Sequence, residues 1–475
     1  MALKALSALL VACALQGSSP AFAAPAAAAA AAGGDAVPEL HIPFRRVVLQ
    51  NGLVVILHED HSAPRVVIDL LWDVGSRHEV AGRTGFAHLF EHLMFTGTRR
   101  APDNSFDVWL EQEGASNNAS TSQDVTEYHA AGPSHVLPLL LWLEADRALD
   151  FGRSITQEKL DAQRDVVRNE RRQTSENTPY GVVELRLPGL LYPPGHPYHH
   201  TIIGSHEDLK AASVADVKAF FAKHYDLSQA SLVVAGDVEP EATLALVRRY
   251  FEGIPTARRP KEPLPPPLGP LTTVVRETVS DRVELPKTVM AWRTPPEGSP
   301  GDADLELLAS VLGSGKASRL YKALVYDKKL AQSIDVGVQS GRLGSVFIVD
   351  AIARPGVSQD ALEAAIDAEL RRVRAAAVAP AELARARNGY LFAYTRGLQS
   401  LMGRARVLNH YEWLRGEPGA LTARVAELRE VTPESMKKAA LAWLPESGRV
   451  VLRVVPTKGE PAGHERDDAR TEGGK

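Results

Sequence analysis

Cysteine is all but missing from this chain: Cys13 is the single one in 475 residues. The body downstream of it can hold neither a disulfide nor a cysteine-ligated metal, so any metal must be bound by histidines and carboxylates. A charge of one sign is missing too. Lys and Arg number 54 against 58 Asp and Glu, a formal net charge of −4, which leaves no basic field for nucleic acid or anionic lipid. Long apolar runs are also lacking, since none approaches the roughly 20 residues of a membrane-spanning helix. What remains is an ordinary globular balance, 44% hydrophobic and 24% charged, with length enough for more than one domain.

The start of the chain reads as a targeting segment. Lys4 precedes a short apolar run, Ala5 to Leu15, and Pro20-Ala21-Phe22-Ala23 supplies an A-x-A cleavage site. Residues 1–23 are therefore expected to be a signal peptide and 24–44 an alanine-rich disordered segment, with export to the periplasm. Leu10-Val11-Ala12-Cys13 also looks like a lipobox, so a lipoprotein anchored through Cys13 is the alternative. The apolar run continues past that cut through Ala14-Leu15, which favours free export.

The body reads as strands interleaved with helices, an α+β layer structure. Val47 to Leu57 with Asn51-Gly52 at its centre predicts a hairpin with a type I′ turn. Further strands are expected at 66–72, 118–130 and 231–235, and helices at 85–97, 104–113, 134–149 and 154–176. A proline-rich stretch, 255–270, reads as an extended linker. After it the plan restarts, with strands at 289–294, 346–353 and 449–455 and helices at 302–312, 318–330 and 359–375. Residues 45–254 and 271–456 thus read as two diverged copies of one unit, with a disordered tail at 457–475.

Phe86, Leu89, Phe90, Leu93 and Met94 fall at i, i+3, i+4, i+7 and i+8, one buried face of a helix. His88, Glu91 and His92 occupy the other face. Two imidazoles one turn apart can grip a single Zn²⁺, with the glutamate beside a metal-activated water. Catalytic zinc usually takes a third protein ligand. Glu170 is a candidate on a later helix, where Asp161, Asp165 and Glu176 compete with it.

His88-Leu89-Phe90-Glu91-His92 has the inverzincin order H-x-x-E-H. Together with Asn118-Ala119-Ser120-Thr121 running to Thr126-Glu127-Tyr128, Val166-Val167-Arg168-Asn169-Glu170 and Ala235-Gly236-Asp237, it resembles the pitrilysin/insulysin/mitochondrial processing peptidase family, M16, over nearly all of 45–455. The resemblance implies two homologous halves in a clamshell, one zinc per chain, and Glu91 as general base. It also implies that Glu170, which lies 78 residues after His92, is the third ligand beside His88 and His92. Gln163 stands where the family often has another glutamate. Asn118, Ala119, Ser120 and Thr121 match the family's edge strand, on which a peptide or unfolded polypeptide is bound by β-augmentation.

Active members of the family also use an arginine and a tyrosine seven apart in the second half. Val325 and Gln332 stand at the matching positions, and Arg319 and Tyr321 are only two apart. The resemblance therefore implies the zinc-bearing subunit of a heterodimer, whose homologous companion carries the Arg/Tyr pair. The expected activity is zinc-dependent endopeptidase cleavage of peptides. The alternatives are a non-catalytic assembly subunit and a zinc-dependent peptide-binding protein. Two other motifs are set aside. Gly313-Ser314-Gly315-Lys316-Ala317-Ser318 lacks the first glycine and the hydroxyl of a P-loop, and His196, His199 and His200 read as a surface loop.

Overall fold

A computed structural model describes residues 40–258 and 263–457. The expected signal peptide, nearly all of the alanine-rich segment with Cys13, part of the proline-rich linker and nearly all of the tail lie outside the described residues.

Eleven strands form two sheets among the described residues. The first sheet contains β1 (Arg45–Val48), β2 (Val54–Glu59), β3 (Arg65–Trp72), β4 (Ser116–Thr121), β5 (Thr126–Pro133) and β6 (Ala230–Gly236), in the order β1-β2-β6-β3-β5-β4. The second contains β7 (Val274–Asp281), β8 (Lys287–Thr294), β9 (Ala331–Gln339), β10 (Ser345–Ala353) and β11 (Arg449–Pro456), in the order β7-β11-β8-β10-β9. Without β1, the two orders match strand for strand along the chain. The one parallel pair recurs as well, β2 with β6 and β7 with β11, and all other neighbours are antiparallel. The duplication read from the sequence is thus a duplication of topology.

The halves interlock. β3 and β6 are apolar almost without interruption and buried along nearly their whole length, which requires cover on both faces. Helices of the first half, such as Leu137–Ser154, cover one face. The other is covered by Leu401–Arg415, a helix of the second half that packs along β3 and β6. In return Val182–Leu191 of the first half lies on β8 and β11, where Leu187 and Leu191 join Val289, Ala291, Val450 and Leu452 in one core. The described residues from Leu40 onward accordingly form one compact unit.

Local chemistry changes several expected boundaries. The first hairpin does not turn on a two-residue type I′ loop, which needs positive φ at both central residues. Only Gly52 has one, at 96°, and the turn is closed by Gly52 N–H donating to the Leu49 carbonyl. The Asn51 amide instead reaches Phe251 O at 2.8 Å. The expected strand 118–130 is a hairpin, because the Ser122 hydroxyl accepts from Asp124 and Val125 N–H and bends the chain between β4 and β5. The helix expected at 318–330 is a short π-helical turn, Tyr321–Asp327, followed by β9.

Candidate metal centre

The helix Phe86–Leu93 begins at Gly85, whose φ of 85° favours glycine. No side chain of its own first turn caps it. Glu79 does so from outside, its carboxylate accepting from Gly85 N–H at 2.8 Å and Ala87 N–H at 2.7 Å. Burial pushes the Glu79 carboxyl well above the usual range, and those two hydrogen bonds only partly offset it. The apolar face is fixed by Phe90, which stacks on Tyr225 at 4.3 Å and meets Phe151 at 4.7 Å. The polar face is only partly open to solvent, with Glu91 and His92 half-buried. His88 is 9% exposed, enclosed where this helix meets β4 and the helix Gln157–Arg171.

Gln157–Arg171 starts at Thr156, whose hydroxyl caps Lys159 N–H, and buries Leu160 and Val167. Glu170 near its end faces both histidines: its Oε2 lies 3.2 Å from His92 Nε2 and 3.8 Å from His88 Nε2. The imidazole centroids are 4.7 Å apart. The competing carboxylates are engaged elsewhere, Asp161 with Arg164, Asp165 with Arg168, and Glu176 with Arg171 and His206. Within the helix expected over 154–176, the α-helix ends at Arg171 and the last turn, Arg172–Glu176, is π-helical, a feature frequent at functional sites.

This donor set fits a zinc ion. Burial, then repulsion from His92, lowers the His88 pKa to about 4, which keeps its imidazole neutral with a lone pair to give. Burial alone would raise the Glu170 pKa, but the His92 hydrogen bond and both imidazoles outweigh it, so Glu170 is a carboxylate. Two imidazoles and one carboxylate, with ligand atoms all within 4.8 Å of one another, are a common catalytic zinc set. The His88 Nδ1 atom is buried without a hydrogen-bond partner, so hydrogen bonding does not account for this ring's position.

Glu91 lies between the histidines, and its Oε2 accepts from the Thr121 hydroxyl at 2.6 Å. Burial raises the Glu91 pKa, and the Thr121 bond pulls it back down. Thr121 ends β4, which is the edge of its sheet and pairs only with β5. Ala119 and Thr121 are half-buried on the helix side, whereas Asn118 and Ser120 are exposed on the other. The sequence placed Thr121 on the peptide strand but gave no sign of its bond to Glu91. Glu79 was not legible either, because a cap from outside a helix has no fixed spacing from it.

A second set of metal-capable side chains, Asp69, Glu127 and His129, sits on the opposite face of the same sheet. A cation is already supplied there by Arg406 of the covering helix, 2.5 Å from Glu127 and 3.1 Å from His129. The histidine-rich loop is no plain surface loop. Tyr198 within it is fully buried, its hydroxyl donating to Asp124 at 2.5 Å and accepting from Leu343 N–H at 3.1 Å. In the second half Val325 is half-buried, Gln332 is exposed on β9, and Arg319 is taken up by Glu382 through two hydrogen bonds.

Residues 54–192 match the profile of Insulinase (Peptidase family M16), and residues 211–390 that of the Peptidase M16 inactive domain. The zinc protease PqqE of Helicobacter pylori is 31% identical over 340 residues, which span 71% of this chain and 76% of the relative. Mitochondrial cytochrome b-c1 complex subunit 1 of Bos taurus is 26% identical over 329 residues, 66% of each chain. Among solved structures, a protease from Helicobacter pylori superposes with a TM-score of 0.81 at 26% identity, over 88% of this chain and 100% of the other.

Proposed function

The chain belongs to peptidase family M16, and from that premise we propose that it is a zinc-dependent endopeptidase acting on peptides and unfolded protein segments. One observation carries the reading: His88, His92 and Glu170 bring ligand atoms within 4.8 Å of one another, with the half-buried Glu91 on the same helix as the two histidines. A zinc ion held there by these three side chains would polarise a peptide carbonyl and activate water. Glu91 takes the proton of the attacking water and passes it to the leaving amine. Thr121 orients the carboxylate for that transfer. The free edge of β4, residues 118–121, offers backbone N–H and C=O groups to an extended substrate, so that recognition is by β-augmentation.

The second half lacks the family's Arg/Tyr pair at Val325 and Gln332. The chain is therefore proposed as the zinc-bearing subunit of a heterodimer, closed as a clamshell by a homologous companion that carries the pair. Export to the periplasm by a signal peptide at 1–23, and halves at 45–254 and 271–456, are part of the same proposal.

A non-catalytic assembly role is the second reading, favoured by the similarity to a subunit of the cytochrome b-c1 complex. An intact base between two paired histidines speaks against it. Metal analysis of the purified chain tests the site. One zinc per chain is expected, lost in a His88→Ala/His92→Ala double variant, and full zinc occupancy in that variant would remove the proposal.

A further inference from the structure

Glu170 is the last residue but one of its α-helix, next to Arg171. We infer that Arg171 is the positioning residue that sets the distance of Glu170 from the histidines, acting through the segment Ile203–Asp208. The inference rests on the zinc reading above.

On one side, the Arg171 guanidinium donates to the Gly204 carbonyl. Its Nε donates to Glu176 at 2.9 Å, and the same Glu176 oxygen lies 3.0 Å from His206 Nε2. Arg171 is mostly buried, with 15% of its side chain exposed, so the fork is held in place. The end of the Glu170 helix thus grips residues 204–206 at two points.

On the other side, the same segment grips the start of the histidine helix. Asp208 accepts from Thr84 N–H at 2.9 Å and from its hydroxyl at 2.5 Å, and Ser205 N–H donates to the Thr84 hydroxyl at 3.1 Å. Gly85 and Gly204 lie backbone to backbone. A Cβ on Gly204 would stand 2.4 Å from Gly85 Cα, and one on Gly85 would stand 2.9 Å from Gly204 Cα. Both have positive φ, 85° and 71°. No side chain separates them, so the contact has no slack.

Arg171, Gly204 and Gly85 therefore form a rigid spacer between the third ligand and the first two. Without the Arg171 link all three ligands keep their chemistry, but the two helices, which also pack directly, lose the contact that fixes their spacing at the ligand end. Outer-shell partners of metal ligands are typically worth about 10–100-fold in metal affinity.

The test is the zinc dissociation constant of the purified protein, measured by chelator competition, with the melting temperature of the zinc-free form recorded alongside. Arg171→Gln is expected to weaken zinc about 10–100-fold. Arg172→Gln, which removes the same charge next door from a side chain bonded to Asn169, is expected to leave the affinity unchanged. A purely electrostatic effect predicts that removing either cation tightens zinc, so the two accounts differ in sign. Should Arg171→Gln not fold, Arg171→Lys decides: weakened zinc in the folded protein supports the role, and parental affinity overturns it. A parent protein that binds no zinc would sink the metal site itself. Tight binding in the parent and equally tight binding in Arg171→Gln would sink only this inference.

Discussion

Thr121 donates its hydroxyl to Glu91 across 2.6 Å, joining the edge of the first sheet to the carboxylate between the two histidines. A peptide pairing with β4 therefore lies on the strand that orients the candidate base. Thr121→Val keeps the shape and removes the donor. Losing one such hydrogen bond should lower hydrolysis about 2–10-fold with zinc retained. The bond pulls the Glu91 pKa down, and a base must be deprotonated, so the acid limb of the pH–rate profile should move to higher pH. An unchanged profile would free Thr121 from this role.

The histidine helix was legible because its apolar residues recur at one-turn intervals and leave His88, Glu91 and His92 on the remaining face. Glu170 was legible only through the family resemblance, since four carboxylates on that stretch look alike until the fold engages the other three. The helix Leu401–Arg415 was missed for a physical reason. Arg404, Arg406 and Asn409 turn inward to meet His58, Glu127 and Asp69, so the buried face carries polar groups and no clean apolar stripe. The β4–β5 turn was hidden because a single serine makes it, without glycine or proline.

Asn409 is fully buried, donating its amide to the carbonyl and carboxylate of Asp69 while its own carbonyl accepts the Ser231 hydroxyl. Burial, then the nearby Glu127, pushes the Asp69 carboxyl well up, so it depends on this partner. Asn409→Ala should cost about 1–3 kcal/mol, the usual toll of leaving a buried polar group unpaired. Because the halves interlock, calorimetry should show one lowered transition for both. Two separate transitions would show that the halves unfold independently.

Glu363 is buried in the second half and accepts from Arg276, Arg449 and Arg453. Burial opposes its charge, but the arginines prevail and hold its pKa at about 2. A carboxyl depressed in the folded state stabilises fully above its unfolded pKa, near 4.3, and that stability is lost as pH falls toward about 2. Glu363→Gln should destabilise the protein by roughly 3–5 kcal/mol at neutral pH, the usual cost of breaking a buried pair. The difference from the parent should shrink across that acid window in pH-dependent melting. A constant difference down to pH 2 would exclude the charge as the cause.

Val325 and Gln332 offer neither a cation nor a phenol where the family uses both. Loss of one oxyanion donor costs roughly 10²–10³ in rate, so the isolated zinc-loaded chain should be nearly inert. A homologous chain carrying the Arg/Tyr pair should restore hydrolysis of an unstructured peptide by a comparable factor. Full activity from the chain alone would dispose of the heterodimer.

The most direct test separates the base from the ligands. Glu91→Gln is isosteric, keeps the Thr121 contact and leaves His88, His92 and Glu170 untouched. The measurement is peptide turnover by the zinc-loaded variant, assayed beside the parent with the companion chain present and with zinc counted in the same samples. General-base catalysis contributes about 10²–10⁴-fold, so turnover should fall by at least about 10² while one zinc per chain remains. A Glu91→Gln protein that holds its zinc and cuts at the parental rate would contradict the account.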